Sequence, residues 1–553
     1  MTKFAIESPI KRRELLDWSS SGLTEMTLSV SWLCHVLSCS PPLPQLLFEQ
    51  KQLSSDRFFG IVMSDPSSSK IAKRFLKRYL ILIAVCVIGI ALAVHRFLVV
   101  SRYGLGFDNT SFLVNGAVFS GFYKHGYDAS RPPFIPLLLA LGFLVTSPAA
   151  VNGMLLSGAF YVVGVFGAYL LAETVMNRVF AILTSVSFNT ITSVVYWVGT
   201  GFSDVEGVAI ASLGLGLLVY ATRKRPNLYL LAIPVVFIAF FTRYTMGVAM
   251  LSSVVFLAFE SRTSNLHVGK IVGGAALALG ISAIVSYDWL ALAGYNFKSL
   301  LPGGHTVSGT LAQPFYILSL PMEIGYGTYG LLLAALFAIA CVLIIYDSIR
   351  HKTDPVIVAL LAWIFPLLLY YSLYQINPPG GTSDLLRYST EFALPVVILA
   401  FWSFHRLVSH LFVSRKWLAI GGVCLIALIL LPTATPSFTH GWNITNAPGN
   451  SLATTNAMRD AAGWLNQNAS TNTILGCNWW PACAWFAPQF RSIFIESFSQ
   501  TNQTFAGQVT GLIHHRVGYV VWSSSSKITY KNSHLQLVWI SSQKKAFIYK
   551  VTP

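Results

Sequence analysis

A small set of charged residues in this apolar chain has the types and spacing for acid–base and anion-holding chemistry: Asp108, Asp128, Arg131, Asp204, Glu206, Arg243 and Arg387. A carboxylate can take the proton of a hydroxyl, and an arginine fork can hold a phosphate through two parallel hydrogen bonds. Asp108 stands beside Phe107, whose ring would partly desolvate it and strengthen it as a base. It also heads FDNTSFLVNGAVFSGF, where an aspartate serves equally well to start a helix. Asp128, in the turn-rich HGYDASRPP, reads as a second acid, a metal ligand or a turn residue. Arg131 either binds phosphate or snorkels to lipid headgroups. Asp204 and Glu206 position a substrate or hold a metal, or simply complement the positive end of the helix they open. Arg243, in FFTRYTMG, is an interfacial anchor or a bidentate phosphate clamp. The clamp is favoured there, and more firmly for Arg387 in DLLRYSTEFALP, where Glu391 follows.

The elements that must position these groups are membrane helices. Hydrophobic residues form 54% of the chain and charged residues 10%. A soluble domain carries about 25% charge, so most of this chain belongs in lipid. Apolar runs of about 20 residues, the length a bilayer core requires, recur along it. Spans are expected near 79–100, 150–171, 178–198, 205–222, 227–242, 245–259, 268–290, 326–346, 354–374, 388–411 and 416–433, which makes a polytopic α-helical protein of about eleven transmembrane helices. The run 134–146 is too short to span comfortably and reads as a re-entrant or interfacial helix.

Basic residues orient this array. Lys70, Lys73, Arg74, Lys77 and Arg78 precede the first span, and Arg178, Arg223–Arg225, Arg262, Lys270, Arg350, Lys352, Arg406, Arg415 and Lys416 fall on the same side. The opposite loops hold fewer, which puts the N-terminus in the cytoplasm of a cell-membrane protein and the C-terminal region outside. The same topology accounts for most of the +16 net charge. With no basic–aromatic module present, a nucleic-acid partner is excluded.

Composition divides the chain into residues 1–62, 63–433 and 434–553, with a long first outer loop at 101–149. Residues 1–62 lack periodicity; either Met63 is the natural start, or this stretch is disordered. The last region has ordinary composition and is expected to form a small extracytoplasmic α/β domain. Its Thr454–Asn466 has the spacing of an amphipathic helix, and GYVVWSS, LQLVWISS and KAFIYKV have that of strands. Cys477 and Cys483 can pair there if the compartment is oxidising, or remain two thiols. Acceptor sequons at Asn109, Asn443, Asn468 and Asn502 agree with the topology without testing it.

Between 79 and 411 the chain resembles the GT-C glycosyltransferases, and among them the dolichyl-phosphate-mannose protein mannosyltransferase and aminoarabinose transferase group. The resemblance lies in GFDNTSFLVNGAVFSG, RPPFIPLLLALGFL, GFSDVEGVAIASLGLGLLVYA, FFTRYTMG and LLRYSTEFALP, in that order between spans. It implies inverting transfer of a sugar from a polyprenyl-phosphate donor to a hydroxyl of a protein, lipid or glycan on the outer face. Asp108 would be the base, and Arg243 and Arg387 would hold the lipid phosphate. Phosphate leaves readily, so no general acid is demanded. Two departures matter: Arg243 stands where relatives often carry lysine, and the loop closes on RPPF rather than the HPPLGK of protein mannosyltransferases, which points away from a protein acceptor. No DxD stands near Asp108, so no metal or other cofactor is implied. Trp479-Trp480 resembles the start of the oligosaccharyltransferase WWDYG motif, but Pro481 replaces its aspartate, and the pair reads as core or membrane-facing aromatics.

The alternatives are a transporter or flippase of lipid-linked sugars, and a non-catalytic scaffold. A transporter places ionisable groups at mid-span and is often built from repeated halves. Here mid-spans are nearly free of charge and no internal repeat is visible.

Overall fold

The computed structural model describes residues 80, 82–94, 105–198, 203–292, 327–373, 382–411, 452–495, 502–524, 528 and 532–552. Residues 1–62, the expected span 416–433 and the Asn443 sequon lie outside them.

Among the described residues, the regular structure of the membrane part is all helical. Its described helices are α1 (Leu82–Val94), α2 (Phe107–Phe119), α3 (Phe134–Thr146), α4 (Ala150–Ala172), α5 (Arg178–Thr190), α6 (Thr192–Trp197), α7 (Ser203–Arg223), α8 (Tyr229–Thr242), α9 (Gly247–Glu260), α10 (Val268–Leu292), α11 (Gly327–Ile349), α12 (Pro355–Leu373) and α13 (Thr382–Leu411). Five helical stretches, within α4, α7, α10, α11 and α13, are long and apolar enough to cross a bilayer on their own. α1, α3, α5, α8, α9 and α12 are apolar but shorter. The expected single span 178–198 is in fact two helices. The chain extends at Ile191 (φ −66°, ψ 122°) and interrupts the helix between α5 and α6. This break follows the stretch Ser187–Thr190, where the Thr190 hydroxyl bonds back to the Ser187 carbonyl.

α3 has 13 residues, about 20 Å of helix against a hydrocarbon core of about 30 Å. Ile135, Leu139 and Phe143 bury one face of it against α2, while Leu141, Leu144 and Val145 stand exposed on the other. α4 lies along α7, α7 along α8, and α9 along α12. Far from the first loop, Arg223 at the end of α7 pairs with Glu260 at the end of α9 (3.1 Å) and Asp354 just before α12 (2.9 Å). Arg406 of α13 grips Asp347 of α11 through both guanidinium nitrogens.

The C-terminal region is α/β. It comprises α14 (Leu452–Asn468), β1 (Ile474–Cys477), α15 (Trp480–Phe486), β2 (Arg491–Phe494), α16 (Asn502–His514), β3 (Val517–Ser523), β4 (Leu535–Ile540) and β5 (Ala546–Val551). The sheet order is β2-β1-β3-β5-β4, with β1 parallel to β2 and β3, and β5 antiparallel to β3 and β4. Ala457, Met458, Ala461 and Leu465 turn one face of α14 into the core beside Leu475, Val521 and Ile548. The periodicity of α14, β3, β4 and β5 is plain in the sequence. The four-residue strands β1 and β2 are too short to show any. Cys477 and Cys483 form a disulfide that ties β1 to α15. Trp479 is buried in this core and Trp480 packs beside it.

α15 is also where this region meets the membrane part. Ala484 and Trp485 complete a core that includes Phe112, Leu113, Leu139 and Phe143 of α2 and α3. The Tyr123 hydroxyl donates to the Trp485 carbonyl (3.0 Å), and the Leu105 amide donates to Thr455 Oγ1 of α14 (3.0 Å). Burial pushes the Tyr123 phenol up to about 12, as expected of a neutral hydroxyl held in a dry contact.

Candidate active site

α2 begins after Gly106, and the choice of capping residue decides what Asp108 is free to do. The Asn109 side chain accepts from the Gly106 amide (2.6 Å). Asn109 thus closes the helix start, and it is only 3% exposed. A glycan cannot be attached to it in the folded protein, so the sequon at this position is incidental. The Asp108 carboxylate turns instead to the end of the same loop, where Arg131 Nη2 meets its Oδ1 at 2.5 Å. Arg131 Nε also donates to Asp128 Oδ2 (3.1 Å). One guanidinium therefore joins two carboxylates that lie twenty residues apart in the chain.

The Asp128 turn is built to hold this arrangement. Asp128 Oδ1 accepts from the Ser130 amide (3.1 Å) and hydroxyl (2.6 Å). Asn115, buried two turns along α2, brackets the Asp128 backbone. Its Oδ1 accepts from the Asp128 amide (2.7 Å) and its Nδ2 donates to the Asp128 carbonyl (2.8 Å). Asn115 is absent from the expected set, since an asparagine inside an apolar helix carries no signal of its partner. The ring of Phe112 lies under Arg131 (5.9 Å).

A second cluster sits where α7 starts, α8 ends and α13 passes. Asp204 and Glu206 lie in the first turn of α7, both buried. Arg243 follows α8 in extended conformation and precedes the short 3-10 turn Tyr244–Met246. Its Nη2 pairs with Asp204 (2.9 Å), its Nε with Glu391 of α13, and its Nη1 reaches Ser203 (3.5 Å). Gly207 makes this approach feasible: a side chain there would put its Cβ 3.0 Å from the Arg243 Cβ. Glu206 lies beside Ser157 and within reach of the charges of Asp204 and Arg243.

Tyr244 connects the clusters. It follows Arg243 directly and feels the charges of Asp128 and Arg131. Asp108, Asp128, Arg131, Asp204, Glu206 and Arg243 thus fall into two adjoining groups at the first-loop end of the bundle. Arg387 lies in α13 one helical turn before Glu391, but its side chain is outside the described residues. Among the described residues no group of three or more histidine, cysteine or acidic side chains could hold a metal ion.

This geometry can be set beside known proteins. Residues 130–287 match the family described as dolichyl-phosphate-mannose-protein mannosyltransferase. No curated protein matches the chain. Among solved structures, ArnT from Cupriavidus metallidurans bound to undecaprenyl phosphate is similar with a TM-score of 0.56 at 13% identity, over 84% of this chain and 97% of that one. The archaeal oligosaccharyltransferase AglB from Archaeoglobus fulgidus, in complex with an inhibitory peptide and a dolichol-phosphate, gives 0.54 at 12%, over 81% and 70%. The arabinofuranosyltransferase AftD from Mycobacteria gives 0.52 at 15%, over 85% of this chain and 41% of that one.

The chain has the GT-C glycosyltransferase fold. The family match starts at Ser130, within the turn that holds Asp128 and Arg131, and runs through α7, Arg243 and most of α10. It therefore contains the second cluster apart from Glu391, and of the first only Arg131.

Proposed function

We propose that the protein is an inverting, polyprenyl-phosphate-sugar-dependent hexosyltransferase that glycosylates a hydroxyl acceptor on the outer face of the cell membrane. The observation that carries this reading is the presentation of Asp108 at the start of α2, held by Arg131 in the first loop of a GT-C fold. The acceptor oxygen forms its bond to the anomeric carbon as the bond from that carbon to the phosphate oxygen breaks. One displacement inverts the configuration. The hydroxyl proton goes to Asp108, and the electron pair leaves with the polyprenyl phosphate. Arg131 and Asp128 aim the base. Arg243 is engaged by two carboxylates, so it acts chiefly by fixing the ends of α7, α8 and α13. Arg387, one turn from Glu391, is then the first choice to hold the lipid phosphate, and this role rests on the sequence. The disulfide and the sparse basic residues of the first-loop end support the outward orientation. The reaction as written requires no cofactor.

The test is release of polyprenyl phosphate by purified protein in lipid. A panel of polyprenyl-phosphate sugars is supplied with a crude envelope extract as acceptor, and wild type is compared with Asp108→Asn. Release that the variant abolishes while remaining folded is the expected result. No release with any donor, together with movement of the lipid-linked sugar between leaflets, would make the protein a flippase.

A further inference from the structure

A cavity of about 280 Å³ opens between the first loop and the C-terminal region, lined by none of the residues of the two carboxylate clusters. Its walls are His125 and Tyr127 of the loop, Trp480 of α15, and Arg491, Ser492 and Phe494 of β2. We infer that this cavity binds an acidic carbohydrate, seating a sugar ring against its aromatic walls and the ring's anionic substituent against Arg491 and His125. The inference rests on the transferase reading, because it makes this sugar the acceptor.

Charge points to an anion. Arg491 and His125 line the cavity and Lys124 stands next to it, with no carboxylate in the lining. None of the three makes a salt bridge among the described residues. Asp128, the nearest acid along the loop, is held by Arg131 and Ser130. Burial, then the charges of Arg491 and Lys124, pull the His125 imidazole below its usual range, so it lines the cavity as a neutral ring whose N–H can donate to an anion held by Arg491. Ser492 lines the same wall, with its hydroxyl turned in from the surface.

Shape points to a sugar. The volume is just under the ~300–1,000 Å³ of small-molecule sites, enough for one end of an oligosaccharide rather than a whole ligand. Phe494 is exposed and offers a flat apolar ring, and Tyr127 and Trp480 line the cavity beside polar side chains, which suits the C–H faces and hydroxyls of a pyranose. A phospholipid headgroup would need only the charge. Placement points to an acceptor: Tyr127 is bonded directly to Asp128, so the cavity wall continues into the turn that shares Arg131 with Asp108.

The test uses full-length protein in nanodiscs of neutral lipid and needs no donor. Binding of tetragalacturonate is compared by calorimetry with that of its fully methyl-esterified form, inorganic phosphate and phosphatidylglycerol vesicles. The acid should bind at least tenfold tighter than the ester. Arg491→Glu, on the exposed strand, should lose at least tenfold with an unchanged melting temperature, and Arg491→Gln should fall between. Equal binding of acid and ester overturns the inference, as does wild-type binding by both Arg491 variants. So does full competition by phosphate or by the vesicles, which would leave an adventitious ion site or a headgroup site. Because donor cleavage is read separately, a failed binding assay leaves the transferase test intact, and a failed transfer assay leaves the binding result readable.

Discussion

The first-loop end holds two clusters with the same formula, one arginine between two carboxylates, and they differ in burial. In the loop cluster Arg131, Asp108 and Asp128 have side-chain exposures of 21, 13 and 11%. In the helix cluster Arg243 keeps 11% and Asp204 and Glu391 keep none. A part-exposed pair can exchange a partner for substrate at small energetic expense. A buried triad cannot, because removing one member strands charge in a low-dielectric interior. The first is suited to chemistry, and the second to holding three helices in register beside it.

Substitutions can break this contrast. The largest effect is expected for Asp108→Asn: transfer should fall by about 10²–10⁴-fold, the range of a lost general base, with the unfolding temperature unchanged. Arg243→Ala comes next and should act on stability, lowering it by about 3–5 kcal/mol, as read by thermal unfolding in detergent. If that variant unfolds like wild type and loses only transfer, Arg243 is a phosphate clamp and the contrast fails. Arg131→Gln should slow transfer by roughly 10–100-fold, the worth of a charged hydrogen bond, with a small stability change.

Two further substitutions test the docking that frames the loop cluster. Gly126 has φ +92°, and a side chain would place its Cβ 2.5 Å from that of Ala484. Gly126→Val should therefore loosen α15 from the loop by about 1–3 kcal/mol, seen as faster hydrogen exchange in α15 with α7 and α8 unaffected. The smallest effect is in pH. His125 titrates below its ordinary value in the folded protein, so below about pH 6.5 the unfolded chain takes up the proton more readily and stability falls as pH falls. The melting temperature should decline slightly between pH 7 and 5, and that decline should shrink in His125→Gln.

Much of the membrane architecture was legible because lipid imposes a simple rule: long apolar runs become helices. α4, α7, α10 and α11 follow it closely, and the polar break at Arg243 does end one helix and begin another. The rule fails where polarity is local. The run 178–198 reads as one span, but its Ser187–Thr190 stretch gives the backbone other partners, and the helix breaks at Ile191. The candidate site was legible as a set of residue types and not as a set of pairs. The sequence marks Asp108 and Arg131 separately and leaves Arg131 as a phosphate ligand or a headgroup anchor, with no sign of its two carboxylate partners.

The sequence by itself determined that this is an integral membrane protein with an α/β C-terminal region, and that its chemistry-bearing charges collect near the first loop. These follow from composition and periodicity, which act along the chain. Only the tertiary structure decided that Asn109 rather than Asp108 caps α2, that Asn115 brackets Asp128, and that Arg243 lies between Asp204 and Glu391. It alone brought His125 and Arg491, hundreds of residues apart, to one cavity. Ion pairs and hydrogen bonds act over a few ångströms, and their partners are set by which helices pack together. No local pattern in the chain encodes that.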